Sequence, residues 1–480
     1  MINFDEIEFF KGLDKFSEEV KYRYCIPGHD KNDEVINCLG EKLAKYDITE
    51  TIGTDDLNYP ENFIKKSLEE LSEIYNTKRT FISVNGSSGA LINAILSVTK
   101  PHEKILIQRD CHKSVYNACI LGDIDVDYLY PNYDAEYDLN LGISCNALME
   151  KIKISEDIKA LIVTYPNYKG ICSDIKSIAN ICHENDIILI VDEAHGSHFA
   201  FSEKLPLAAE HAGADIVVQS MHKTLPALTQ TSLLHVCSDR VNQENIEKMF
   251  KLTITSSPSY IFMASIIAAV HYMNDVGRVK LDYIMKLVCE YRNKYNLVAN
   301  ATLDRDKIRK IGGYDFDSTR PILSLIDYDM DGTQLEEMLR YKYKIAMEYS
   351  DFRYCVGYFT VNDDEDKIAY LFESLNDIMK QKKVKKTIHS KLKIREFKYP
   401  KCDRIMKMRD AFYADDQLVN LENSLNSLAS NFIIPYPPGI PLICPGERIT
   451  SEVIEYMIEL LANNIKVYGL DKNNIRIIKQ

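Results

Sequence analysis

Between residues 80 and 236 short apolar runs rich in β-branched side chains recur at residues 80–84, 105–107, 160–164, 187–191, 215–218 and 232–236. Turns and amphipathic stretches separate them, and this alternation predicts an α/β domain built on a mostly parallel sheet. Ile175, Ile178, Ile181 and Cys182 share one helical face and lead into Ile187-Ile-Leu-Ile-Val191. Helix and strand together make one βαβ unit, whose unbroken apolar strand is expected to be covered on both faces. In open sheets of this kind ligands sit beyond the carboxyl ends of the strands. Polar clusters follow the runs at just those places: Asn85-Gly-Ser-Ser-Gly89, Arg109-Asp-Cys-His-Lys113, the segment 165–168, Asp192-Glu-Ala-His195 and Ser220-Met-His-Lys223. Five clusters are therefore expected along one edge of the sheet.

A chain of 480 residues corresponds to two to four domains at ~100–200 residues each. With 58 basic and 71 acidic side chains the formal net charge is −13, which argues against nucleic acid or an anionic membrane as partner. The longest apolar stretch, 260–270, is too short for the ~20 residues that cross a bilayer. The opening MINFDEIEFF has neither a basic n-region nor an apolar h-region, so a cytoplasmic protein is expected. Twelve cysteines contain no CxxC pair and read as reduced core residues. Cys111, between Asp110 and His112, is the one with a reactive alternative, though packing is the favoured role. The basic run Lys382, Lys383, Lys385, Lys386 with His389 and Lys391 reads as a solvated linker. Beyond it a separate module carries Tyr436-Pro-Pro-Gly-Ile-Pro441 and Pro445-Gly-Glu-Arg448.

The clusters narrow the chemistry. Asn85-Gly-Ser-Ser-Gly89 precedes an apolar helical stretch, 90–98, and offers backbone N–H groups and two hydroxyls at a helix start: an anion cradle suited to phosphate, or simply an N-cap. Asp192-Glu-Ala-His195 resembles the DEAH string of helicases, but no GxxxxGK[ST] lies upstream to hold a triphosphate. Asp192, Glu193, His195 and His198 have metal-ligand spacing without further ligands elsewhere, and no metal is expected. Lys223 alone is a lysine at a strand-to-loop junction. Together with a phosphate seat and a strand-end carboxylate it completes the set that pyridoxal phosphate requires: an amine for a Schiff base, a partner for the pyridinium nitrogen and an anion site.

Taken together with further strings, these clusters make the chain resemble the bacterial ornithine/lysine/arginine decarboxylases, pyridoxal-phosphate enzymes with the aspartate-aminotransferase-like fold (fold type I). The matching strings are Pro27-Gly-His29, Asp47-Ile-Thr-Glu50, Asp55-Asp-Leu57, Val84-Asn-Gly-Ser-Ser88, Asp110-Cys-His-Lys-Ser114, Asp192-Glu-Ala-His-Gly196, Gln219-Ser-Met-His-Lys-Thr-Leu225, Thr229-Gln-Thr-Ser232, Tyr436-Pro-Pro-Gly-Ile-Pro441 and Pro445-Gly-Glu447. They span nearly the whole chain. The resemblance implies an N-terminal segment (1–75), a cofactor-binding large domain (76–275), a small α/β domain (276–380), the basic linker (381–392) and a C-terminal α+β module (393–480).

The resemblance also implies roles. Lys223 would carry the cofactor as a Schiff base, Asp192 would keep the pyridine nitrogen protonated, and His112 would stack on the ring with Ala194 behind it. Ser87, Ser88, Gly89, Ser220 and His222 would serve the phosphate, with His195 in the same pocket. Thr255 would reach the phosphate of a second copy, so a homodimer with its site at the subunit interface is expected. His222 or Lys223 would return a proton to Cα. The implied reaction is decarboxylation of a basic L-amino acid, arginine to agmatine ahead of lysine to cadaverine or ornithine to putrescine. An aminotransferase or lyase on the same fold, and a catalytically silent homologue, are the alternatives. The chain looks like the short form without a receiver-like amino-terminal domain, for which decamers are not expected. Two strings depart from the pattern: Asp30 stands where lysine often follows Pro-Gly-His, and residues 421–431 lack the usual Gly-Arg. Both bear on substrate preference or interdomain contact.

Overall fold

The computed structural model describes residues 8–30, 33–297, 301–382, 401, 403–436, 439–462 and 465–479. Its centre is a seven-stranded sheet: β1 (Arg79–Ser83), β2 (Lys104–Gln108), β3 (Asp125–Leu129), β4 (Ile158–Thr164), β5 (Ile188–Asp192), β6 (Ile216–Ser220) and β7 (Ser232–Val236). The spatial order is β1-β7-β6-β5-β4-β2-β3. Neighbours from β6 through β3 run parallel, whereas β7 is antiparallel to both β6 and β1. All six apolar runs become strands, with ends that agree to within two residues.

Alternate residues of these strands feed two cores. Leu106, Leu161, Val163, Leu189, Val191, Val217 and Leu233 pack on one face with the helices Ile175–Glu184 and Tyr260–Tyr272. Ile105, Ile107, Ile162, Ile190, Ile216, Val218 and Leu234 pack on the other with the helices Gly86–Val98 and Lys113–Gly122. Burial on both faces is why these runs lack hydrophobic–polar alternation. One boundary differs from expectation. Gly86 takes the left-handed φ of +68°, which turns the chain within a single residue, so Ser87, Ser88 and Gly89 already form the first turn of a helix.

A third core gathers Ile284, Leu287 and Val288 of the helix Arg278–Lys294, Leu335 and Leu339 of Gly332–Lys342, and Leu371, Phe372 and Leu375 of Glu365–Gln381. The N-terminal part of the chain joins it, since the strand Tyr22–Tyr24 pairs in parallel with Ile345–Met347 and Tyr24 is fully buried. Asp30 ties the following loop to the same unit through Arg23 (3.3 Å) and Lys367 (3.3 Å).

The C-terminal residues have a core of their own, from Leu421 and Ile443 to Met457 and Ile475, yet the module is fastened to the sheet. Arg109, fully buried, donates to the carbonyls of Pro441 (2.7 Å) and Leu442 (2.9 Å) and pairs with buried Glu447 at 3.3 Å. The Pro-Gly-Glu string thus holds the loop that leads to His112. Lys382 ends the helix Glu365–Gln381, while Lys383, Lys385, Lys386, His389 and Lys391 of the expected linker, and Pro437 and Pro438, lie outside the described residues. Among the described residues no disulfide joins any cysteine. Cys111 is fully buried and burial pushes its thiol well up, which makes it a packing residue. Among the described residues no helix is long and apolar enough to cross a membrane.

Candidate active site

β6 ends at Ser220 and the chain makes one helical turn, Met221–Thr224, that carries His222 and Lys223. The Pro27-Gly-His29 loop lies across this turn. Gly28 donates its N–H to the His222 carbonyl at 2.8 Å, and a Cβ at Gly28 would stand 2.8 Å from the Leu225 carbonyl oxygen and 3.0 Å from that of Lys223. Only glycine allows that approach, which accounts for the glycine of the motif.

Lys223 Nζ lies 3.0 Å from His195 Nε2, and His195 Nδ1 lies 2.6 Å from the Tyr358 hydroxyl. Burial presses the Lys223 amine down, Asp192 and Glu348 act against this, and Arg320 adds to it. Asp192, at the end of β5, accepts the Ala194 N–H at 3.1 Å; burial pushes its carboxyl up while Lys223 holds it down. Desolvation is the larger influence on each partner, so a buried carboxylate here is short of positive charge. That is the condition under which it would favour a protonated ring nitrogen.

Ser220 Oγ donates to Ser87 Oγ at 2.8 Å, which joins the end of β6 to the N-terminal turn of the helix Gly86–Val98. Asn85 makes no side-chain cap there, the Gly86 N–H goes to the Gln230 carbonyl at 3.0 Å and the Gly89 N–H to that of Asn85 at 3.3 Å, so the Ser87 and Ser88 N–H groups, beside their hydroxyls, are the ones an anion cradle would use. Ser88 is exposed at the same turn and Gly89 half-buried. His112 caps the helix Lys113–Gly122, with Nδ1 accepting the Ser114 N–H at 3.2 Å. It is therefore both a helix-start residue and a wall of the crevice, where burial and the charge of Lys223 hold its imidazole down to about 3. His222 Nδ1 is tied to the Thr231 carbonyl at 3.1 Å. Thr255 is exposed, two residues beyond the helix Gln243–Thr253, and its hydroxyl accepts the Ser257 N–H at 3.4 Å. The structure gives it no hydrogen bond to the other candidate residues of its own chain.

The four residues of metal-ligand spacing are all taken up by other groups of the protein. Asp192 faces Lys223, His195 bridges Lys223 and Tyr358, and His198 meets Asp317 at 3.2 Å. Glu193 turns into the core, accepting from the Ala209 N–H (2.8 Å) and Gln219 Nε2 (2.6 Å). No three of His, Cys, Asp and Glu gather as a metal site among the described residues.

Four residues of the crevice have no signal in the sequence. Glu348 accepts from the Tyr168 hydroxyl (2.7 Å) and the Ile26 N–H (2.8 Å). Arg320, fully buried, stacks its guanidinium over the Tyr358 ring, 3.6 Å to the centroid, and pairs with buried Asp317 at 3.1 Å. The groups present fit pyridoxal phosphate: an amine that burial favours in its neutral form, a desolvated carboxylate wanting a cation, and an open helix start with hydroxyls.

The chain is similar to known proteins over its whole length. It is 30% identical to the arginine decarboxylase of Bacillus subtilis over 479 residues, covering 99% of this chain and 97% of that one. It is 31% identical to the arginine decarboxylase of Halalkalibacterium halodurans, with 99% and 97% covered. The crystal structure of the lysine decarboxylase of Francisella novicida shares the fold at a TM-score of 0.77 and 20% identity, over 98% of this chain and 80% of that one. Residues 8–313 match the family model of the Orn/Lys/Arg decarboxylase major domain and residues 396–473 that of its C-terminal domain. A family model matched over residues 8–313 and a relative 31% identical over 99% of this chain show the family: the chain belongs to the Orn/Lys/Arg decarboxylase family.

Proposed function

We propose that the protein decarboxylates a basic L-amino acid with pyridoxal phosphate, arginine to agmatine and CO2 first among the candidates. The observation that carries the reading is the meeting of Lys223, Asp192 and the Ser87–Ser220 pair in one crevice, in a chain aligned end to end with arginine decarboxylases. When bound, the cofactor supplies an electron-poor ring that takes up the electron pair left on Cα as CO2 departs. The chain's own residues do the rest. Lys223 would anchor the cofactor, Asp192 would hold the proton on its ring nitrogen, and Ser87, Ser88, Gly89, Ser220 and His222 would hold its phosphate. His112 and Ala194 would confine the ring, with His195 beside Lys223.

Glu348 supports the choice of a basic substrate. Its carboxylate is fixed by Tyr168 and the Ile26 N–H beside Lys223, where it would pair with the distal cation of the substrate. A guanidinium can meet a carboxylate with two parallel hydrogen bonds and an ammonium with one, which puts lysine and ornithine second. After CO2 has left, Cα needs a proton. His222 is held by Thr231, so Lys223, displaced by the substrate, is the better-placed donor. The reading includes a homodimer in which exposed Thr255 reaches the partner's phosphate seat, and a cytoplasmic location in keeping with described cysteines that form no disulfide.

Borohydride reduction in the presence of pyridoxal phosphate, followed by peptide mass spectrometry, tests the anchor. A pyridoxyl group is expected on Lys223 and is expected to vanish in Lys223→Ala; a group fixed on another lysine would overturn the assignment.

A further inference from the structure

We propose that Tyr358 is a positioning residue for Lys223 that acts through His195, because its hydroxyl fixes which ring nitrogen of His195 carries the proton and so which way the hydrogen bond to the lysine runs. The inference rests on the reading of Lys223 as the cofactor's anchor.

His195 is 6% exposed and sits between two partners, Tyr358 Oη at 2.6 Å and Lys223 Nζ at 3.0 Å. Burial and the charges of Lys223 and Arg320, with smaller contributions from His112 and His222, keep its ring neutral. A neutral imidazole has one proton, and the partner at one nitrogen decides the role of the other. Burial pushes the Tyr358 phenol up, against the opposing pull of the Arg320 guanidinium 3.6 Å from its ring centroid, so the hydroxyl keeps its proton and can donate it in a hydrogen bond. Tyr358 then donates to Nδ1, the proton of His195 sits on Nε2, and Nε2–H donates to the lone pair of Lys223. The arrangement favours the amine over the ammonium. It adds to burial and the charge of Arg320 and opposes Asp192 and Glu348, the two carboxylates that face Lys223.

The surrounding contacts hold this geometry in place. Arg320 Nη2 donates to the His195 carbonyl at 2.8 Å, and Arg320 is itself fixed by Asp317, which also meets His198. Tyr168 sets its ring edge-on to His195, 4.8 Å between centroids, but gives its hydroxyl to Glu348 and does not compete for the imidazole nitrogens. One arginine therefore clamps both the turn that bears His195 and the ring that sets its tautomer.

The test is the pH dependence of cofactor loading. Full-length protein stripped of cofactor is mixed with pyridoxal phosphate from about pH 6 to pH 10, and the rate of Schiff-base absorbance is recorded. Tyr358→Phe keeps the ring under Arg320 and removes the hydroxyl. The His195 proton is then free to move to Nδ1, Nε2 can accept from the ammonium, and the midpoint of the rate profile should rise by roughly one pH unit, the worth of one redirected hydrogen bond. His195→Asn, polar but too short to span the gap, should raise the midpoint as well, and adding Tyr358→Phe to it should produce no further rise. An unmoved midpoint in either single variant, or an additional shift in the double variant, would overturn the inference. A parent protein that loads without a pyridoxyl group on Lys223 would instead sink the functional reading beneath it.

Discussion

Glu447 ends the Pro445-Gly-Glu string and is fully buried against Arg109, which is fully buried too. Glu447→Leu removes two things together: the charged partner of Arg109 and the acceptor of the Cys444 N–H, 2.8 Å from Glu447 Oε2. The carbonyls of Pro441 and Leu442 still hold the guanidinium, but the buried ion pair is broken. Breaking a buried pair in this way costs about 3–5 kcal/mol. At roughly 2 cal/mol/K per residue a chain of this size unfolds with an entropy near 1 kcal/mol/K, so unfolding as one unit would lower Tm by about 4 °C. Scanning calorimetry with and without pyridoxal phosphate measures it. Because Arg109 stands three residues before His112, the variant should also bind the cofactor more weakly. A Tm within about 1 °C of the parent, together with unchanged cofactor affinity, would refute the idea that the C-terminal module holds the His112 loop in place.

Asp192→Asn should retain bound cofactor but lose the charge that keeps a ring nitrogen protonated, with kcat down roughly a hundredfold, about 3 kcal/mol; near-normal turnover would remove Asp192 from that role. Glu348→Gln should lower kcat/KM for arginine by roughly 10–150-fold, as expected for a charge-assisted pair of about 1.5–3 kcal/mol, while cofactor loading stays intact. His112 is held down to about 3 in the folded protein against about 6.5 in an unfolded chain. The unfolded chain therefore binds one more proton between these values, and the stability from keeping His112 neutral is full above about pH 6.5 and falls as the pH drops toward 3. His112→Asn, which keeps a capping side chain, should flatten that decline in urea midpoints measured between about pH 4 and pH 7; an unchanged slope would contradict the neutral imidazole.

The sheet was legible because its strands are covered on both faces: Ile105, Ile162, Ile190 and Leu234 meet one core, Leu106, Leu161, Leu189 and Leu233 the other, and such strands read as continuous apolar runs. The cluster around Lys223 was legible because the polar residues stand at strand ends. Glu348, Arg320 and Tyr358 had no such signal. They flank elements of two or three residues, Ile345–Met347, Ile322–Leu323 and Cys355–Val356, too short for any period to accumulate. They also reach His195 or its neighbours from 125 and 163 residues away. The acidic string Asp192-Glu-Ala-His195 shows the opposite difficulty. Its spacing admits a metal, and only the three-dimensional partners separate Asp192, which faces Lys223, from Glu193, which faces Gln219. The string 85–89 reads as a turn ahead of a helix at residue 90, whereas Gly86 at φ +68° completes the turn and the helix already begins there.

The central claim is tested most directly by incubating the purified protein, with added pyridoxal phosphate, in an equal mixture of L-arginine, L-lysine and L-ornithine and reading the amines by mass spectrometry. Agmatine as the main product, released with CO2 and lost in Lys223→Ala, is the predicted result. A protein that carries its pyridoxyl group on Lys223 yet yields no agmatine, cadaverine or putrescine would contradict the account.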